Sequence, residues 1–231
     1  MAPDPVLGRD PIIQAFLRLS TSNVSDALDR LALRGAPHGI LPLWPGCQKI
    51  VGRAMTMKLV REGSASPVLG TLETIVAARP GDVLVVDHDG RADVNSWGGI
   101  ATFTAVRHGL AGVVIDGVTR DVDEMKALGF PAYAKGVIQQ SIRNRCAFGG
   151  HSVEVQLAGV PVKPGDLVMG DDNGIVIVPE THIAQVLEIA QQCLATEEKV
   201  KEWIAQGVNP VEAHERVKYD LMTDPGHRGG R

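Results

Sequence analysis

Two short, uninterrupted apolar runs, Val83-Leu84-Val85-Val86 and Val113-Val114-Ile115, constrain this chain more than any other feature of it. A strand that is apolar at every position has no face to give to water, so it belongs in a sheet covered on both sides. Between the runs lies one helix length of chain, about Gly99 to His108, with short connections. Strand, helix and strand in that spacing read as a βαβ unit, which predicts an α/β domain with parallel strands and flanking helices.

The rest of the chain adds elements around this unit. Asp10-Pro11 opens a short helix with Ile12, Ile13, Phe16 and Leu17 inward. After Ser20-Thr21-Ser22, Val24, Ala27, Leu28 and Leu31 recur at helical spacing, with Gly35 as the expected stop. Residues 36–49 read as an irregular connection. Arg53 to Val60 alternates like a half-buried strand, with Met55, Met57 and Leu59 as ordinary core side chains. Val68, Leu69, Leu72, Ile75 and Val76 form a helix stripe stopped by Arg79-Pro80-Gly81. Further on, Val153, Val155 and Leu157 alternate, and Leu167–Met169 and Ile175–Val178 flank the hairpin signal Asp172-Asn173-Gly174. The turns Arg79-Pro80-Gly81-Asp82 and Lys163-Pro164-Gly165-Asp166 echo each other, one turn used twice rather than a repeat.

From Thr181 a long helix carries Ile183, Val186, Leu187, Ala190, Leu194, Val200, Trp203 and Ile204. Its length predicts that its far end packs on another subunit. Residues 1–220 read as one domain and 221–231 as a disordered tail.

Net charge of −4, without a basic block, gives no electrostatic reason to expect nucleic acid. Apolar runs of about five residues are too short for a bilayer, and Met1 to Pro5 does not open like a leader. Cys47, Cys146 and Cys193 are scattered, odd in number and without an adjacent histidine, which predicts free thiols in a reducing cytoplasm and no cysteine nucleophile.

Ligands of open α/β sheets collect at the carboxyl ends of the strands, beside helix starts. Two glycine-bearing junctions lie there. Asn95-Ser96-Trp97-Gly98-Gly99-Ile100-Ala101 opens a helix whose free amides suit a carboxylate or phosphate, although taken alone it reads first as a plain loop-to-helix turn. Asp116-Gly117-Val118-Thr119-Arg120-Asp121-Val122-Asp123-Glu124 sets a cation among carboxylates just past a buried strand. It reads equally as a capped helix start, Asp121 capping and Glu124 completing a box.

Taken together, the junctions are more specific. Twenty residues separate Gly99 from Arg120, and Arg120-Asp121 is followed after two more by Glu124. This spacing resembles the signature of the family containing the regulator of ribonuclease E activity A and the 4-hydroxy-4-methyl-2-oxoglutarate aldolases. Ser22–Leu28, Pro80–Asp87, Gly112–Gly117 and Pro164-Gly165-Asp166 are similar to family blocks in family order, over roughly residues 10–205.

The resemblance implies a swivelling phosphohistidine-domain-like β-sheet core flanked by helices, assembled as a homotrimer or homohexamer. It implies a magnesium or manganese ion at Asp121, the 2-oxo group of a small 2-oxo acid on Arg120, and its carboxylate on the backbone of Gly98, Gly99, Ile100 and Ala101. The activity implied is cleavage of a 4-hydroxy-2-oxo diacid to pyruvate and a second oxo acid, with oxaloacetate decarboxylation beside it. A protein-binding ribonuclease inhibitor is the alternative. Many active relatives carry an acid where this chain has Gly99, so an acid orienting a metal-bound water is expected to be missing. Asp87, His88 and Asp93 are nearby substitutes, each reading first as part of a solvated loop. Glu197 and Glu198 fall where a neighbouring subunit's glutamate would reach the metal waters, or on a solvated helix face. Gly149-Gly150-His151-Ser152 is similar to the glycine-rich loop of phosphohistidine domains, but His151 reads better as a partly exposed strand residue.

Overall fold

The computed structural model describes residues 10–224. In chain order the elements are α1 (Pro11–Leu17), α2 (Thr21–Arg30), β1 (Leu41–Pro42), β2 (Ile50–Val60), α3 (Pro67–Ala77), β3 (Val83–Asn95), α4 (Gly99–His108), β4 (Gly112–Thr119), α5 (Val122–Ala127), β5 (Ala132–Val137), β6 (Ala147–His151), β7 (Val155–Leu157), β8 (Val160–Val162), β9 (Leu167–Asp171), β10 (Gly174–Val178), α6 (Ile183–Ala205) and α7 (Pro210–Val217). The expected βαβ unit is β3–α4–β4, and it continues through α5 into a further parallel strand, β5.

Strands β2, β3, β4 and β5 run parallel. Antiparallel strands complete an eight-stranded mixed sheet in the order β1-β5-β4-β3-β2-β9-β10, with β6 also on β2. The sheet curls until it nearly closes: Gly174 at the start of β10 lies against Ile40 and Leu41 beside β1. β2 outruns the expected Arg53–Val60 because it serves three partners. Ile50–Arg53 pairs with β9, Ala54–Lys58 with β3, and Met57–Val60 with β6.

Alternation along β3 divides the core. Leu84 and Val86 join Met57, Ile115 and Trp97 in one cluster, whereas Val83 and Val85 join Val114, Tyr133 and the β7–β8 hairpin in another. A third cluster seats Phe16, Val24, Leu28, Val186 and Ala190 on β9 and β10. Each fully buried aliphatic side chain contributes roughly 1.5–3 kcal/mol, so these clusters decide the fold. The echoed turns share one device: Asp82 Oδ2 accepts from Arg79 N and Asp166 Oδ2 from Lys163 N, each at 2.8 Å.

Some expectations change. α2 ends at Arg30, with Ala32 in the left-handed region, rather than at Gly35. Gly35 is there for close approach, since a Cβ on it would stand 2.3 Å from the Ile177 carbonyl oxygen. Val153 lies outside any strand, because β7 starts at Val155 and is pinned when Asp87 accepts from Gln156 N and Asp116 from Ala158 N. Within one chain the far end of α6 also carries a contact to α7, with Lys199 and Arg216 over the Trp203 ring at 5.0 and 5.1 Å, and this contact does not bear on packing against another subunit. Residues Tyr219–Leu221 form a 3-10 turn and Met222 is 9% exposed, while 225–231, the rest of the expected tail, lie outside the described residues. Among the described residues no helix is long and apolar enough to cross a membrane, and all three cysteines are free and buried.

Candidate active site

The two glycine-bearing junctions meet at the carboxyl ends of β3 and β4. The Trp97 carbonyl is the knot between them, accepting from Arg120 N, Thr119 Oγ1 and Asn95 Nδ2 at 3.2, 2.9 and 3.0 Å. Ser96 adds a second tie, its amide and hydroxyl both donating to the Val118 carbonyl. The Trp97 indole is 1% exposed and donates to Thr102 Oγ1, which in turn donates to Gly98 O, so the start of α4 is fixed from below.

On this frame Asp121 does not cap its own helix. It sits in the left-handed region at φ 58°, makes no capping bond to α5, and instead accepts from Gly99 N at 2.9 Å. A non-glycine residue held there costs about 1 kcal/mol or more and is a feature that clusters at functional sites. Arg120 Nε lies 3.5 Å from Asp121 Oδ2, and is buried with no hydrogen-bond partner among the described residues. A Cβ on Gly98 would fall 2.8 Å from Asp121 Oδ2 and 3.4 Å from Arg120 Nε, so only glycine leaves the pair room.

Glu124 fills the remaining place. A Cβ built on Gly99 would stand 1.9 Å from Glu124 Oε2. The space that a side chain at Gly99 would take is therefore occupied by the Glu124 carboxylate, from the first turn of α5. Gly99, Ile100, Ala101, Arg120 and Asp121 line one cavity of about 210 Å³, into which the β5–β6 loop also brings Ile142 and Arg143. Asn95 lines it too, and its Oδ1 is buried without a partner among the described residues. One of the expected amide donors, Gly99 N, is already spent on Asp121; those of Ile100 and Ala101, in the first turn of α4, have no partner within the helix.

A family model described as RraA-like, Aldolase/RraA, matches residues 21–177. The chain belongs to the RraA-like family. A relative named "Putative 4-hydroxy-4-methyl-2-oxoglutarate aldolase" from Halalkalibacterium halodurans is 32% identical over 202 residues, covering 87% of this chain and 92% of that one. Protein DlpA of Legionella pneumophila is 30% identical over 210 residues, 90% of this chain, but the chain spans only 34% of its length. Among solved structures, a protein from Pseudomonas syringae described as uncharacterized superposes with a TM-score of 0.83 at 32% identity, covering 89% of this chain and 93% of that one. Streptomyces coelicolor RraAS2, described as an unusual member of the RNase ES inhibitor RraA protein family, gives 0.74 at 28%, covering 86% and 96%.

The other candidates of this RraA-like chain stand apart from the cavity. Asp87 is buried against Gln156 and Asp89. Asp93 is held by Arg91, which pulls its carboxyl down to about 2. His88 is 1% exposed with neither ring nitrogen bonded among the described residues, and burial, with Arg91 adding to it, pushes it down to about 4. Within one chain Glu197 is taken by Asn23 and Tyr219, and neither it nor Glu198 lines the cavity. His151 bonds to Ser152 at the end of β6. Sequence reasoning did not single out Arg143, which also lines the cavity, because its loop carries no periodic or motif signal.

Proposed function

We propose that this RraA-like chain is a carbon–carbon lyase that depends on a divalent metal and acts on a small 2-oxo acid. Its reaction is cleavage of a 4-hydroxy-2-oxo diacid to pyruvate and a second oxo acid, and it also decarboxylates oxaloacetate. The observation that carries this reading is convergence: the Arg120 guanidinium and the carboxylates of Asp121 and Glu124 all meet the Gly98–Gly99 start of α4.

The donors fit a hard cation. Asp121 keeps Oδ1 free of hydrogen bonds among the described residues, and Glu124 brings a second carboxylate to the same glycine pair. Among those residues no group of three or more His, Cys, Asp or Glu is gathered, which argues against a tetrahedral zinc site. One or two carboxylates suit magnesium or manganese, which keep most of their water. When bound, the ion supplies Lewis acidity to the 2-oxo group as the bond beta to it breaks.

The chain's own groups do the rest. Amides of Ile100 and Ala101 receive the substrate carboxylate. Arg120 donates to the 2-oxo oxygen as negative charge builds there. In aldol cleavage the C4 hydroxyl loses its proton, the C3–C4 bond breaks and its electron pair moves toward the 2-oxo group; C3 then takes up a proton and pyruvate leaves. We assign the hydroxyl proton to Glu124, because its carboxylate stands against Gly99, which lines the cavity. Oxaloacetate loses carbon dioxide without that base.

A homotrimer or a pair of trimers is part of the proposal. Leu69, Val76, Ile100 and Phe103 are 54–73% exposed on α3 and α4 beside the cavity, an apolar face that a second copy would cover. A neighbour could then bring Glu197 or Glu198 to the metal waters. The same face favours the second reading, a protein-binding regulator like the inhibitor that the Streptomyces structure is named for. Release of pyruvate from a 4-hydroxy-2-oxo diacid separates the two: the lyase reading expects it from the wild type and not from Asp121→Asn, and its absence from both leaves the regulator.

A further inference from the structure

Resting on the 2-oxo diacid reading, we infer that Arg143 binds the substrate's second carboxylate, remote from the 2-oxo group, and so selects diacids over monoacids at this site.

Two arginines line the cavity: Arg120, beside the α4 amides that suit the 2-oxo acid end, and Arg143, an exposed residue of the β5–β6 loop. Arg143 also lines a larger cavity of about 540 Å³, which shares Val68 with the first, so it stands where the two join. Three arginines line that larger space. Arg61 is paired with Asp89 at 3.2 Å, and Arg145 donates to the carbonyls of Ser141 and Arg143. The Arg143 guanidinium alone of the three has no hydrogen bond or ion pair among the described residues.

Its loop is held in place. Asn95 N donates to the Gln140 carbonyl at 3.0 Å and Arg91 Nη1 to that of Arg145 at 2.8 Å, tying both sides of Arg143 to β3. Ile142 is buried at 7%, and Asn144 turns the chain through the left-handed region at φ 60°. A planar guanidinium on a fixed loop, exposed and unpaired among the described residues, on the lining of a cavity whose α4 amides we propose receive the first carboxylate, suits a second carboxylate. The adjoining space gives room for a longer acidic arm.

The test compares two unreactive probes that differ only at the far end, 2-oxoglutarate and 2-oxopentanoate, by calorimetry with manganese present. The wild type is expected to bind 2-oxoglutarate roughly tenfold to a hundredfold tighter, the worth of one charge-assisted hydrogen bond. Arg143→Met should weaken 2-oxoglutarate by that factor and leave 2-oxopentanoate unchanged, and Arg143→Lys should recover part of the difference. A diacid preference that survives in Arg143→Met, or an equal loss for both probes, overturns the assignment of Arg143 alone. Failure of both probes to bind the wild type overturns the 2-oxo acid reading and this inference with it.

Discussion

Gly99→Ala isolates the contact on which the site turns. The added methyl would stand 1.9 Å from Glu124 Oε2, and to restore ordinary contact at 3.4 Å the carboxylate must retreat by about 1.5 Å. The retreat is easy, because the clashing atom is the far end of a flexible side chain at the surface. Gly99 also begins α4, where alanine is the better helix former by up to about 1 kcal/mol. Stability should therefore hold or rise slightly, with the melting temperature shifting by no more than roughly 2–4 °C. Activity should not hold. Misplacing a catalytic group by an ångström costs on the order of a hundredfold, so kcat/KM for manganese-dependent pyruvate release from a 4-hydroxy-2-oxo diacid should fall by about that factor. The same substitution in a Glu124→Gln background should cost little more, since the group it displaces is already disabled. Gly99→Asp cannot simply add an acid, because Glu124 occupies its space; once Glu124→Ala has cleared that space, it should recover activity that Gly99→Ala does not. Full activity in Gly99→Ala, or losses that add in the double mutant, would refute the placement of Glu124.

Other consequences follow from the same geometry. Asp121→Asn keeps a side chain that tolerates the left-handed backbone and can accept from Gly99 N, so it should fold normally yet lose at least a hundredfold in metal-dependent turnover; near-native turnover rules out Asp121 as the ion's ligand. Arg120→Lys should weaken inhibition by oxalate about tenfold or more, since an ammonium cannot meet two oxygens as the guanidinium does, and equal inhibition takes Arg120 out of the pocket. His88 is neutral in the folded chain down to about pH 4, whereas in the unfolded chain it takes up a proton near its ordinary 6.5. The unfolded state therefore binds more protons between those values, and stability should fall as pH drops through that window, by up to about 3 kcal/mol from this group. His88→Gln should flatten that limb in denaturant titrations, and an unchanged slope contradicts the assignment.

The centre of the fold is legible in the sequence because β3 and β4 are buried on both faces and leave an unbroken apolar signature. The β9–β10 hairpin is legible because Asp172-Asn173 demands a tight turn. β6 is not: Ala147-Phe148-Gly149-Gly150-His151 pairs with β2 through its backbone, and its glycines carry no side-chain alternation. β5 is hidden in the same way by small residues. At the site, spacing brought Arg120, Asp121 and the Gly98–Gly99 turn together, since both junctions end adjacent strands. It could not show that Glu124, in the first turn of α5, reaches Gly99 and fills the space that a side chain there would take. Nor could it find Arg143, whose position is set by hydrogen bonds of the β5–β6 loop to β3.

The central claim is metal-dependent cleavage at Asp121, and the most direct measurement is pyruvate release by chelator-stripped protein as manganese or magnesium is titrated back. The account predicts no turnover of oxaloacetate or of a 4-hydroxy-2-oxo diacid above the uncatalysed rate in stripped wild type. Turnover should saturate as either ion returns, and Asp121→Asn should give no such curve. Wild-type turnover that survives exhaustive chelation, or that no divalent ion restores, would contradict it.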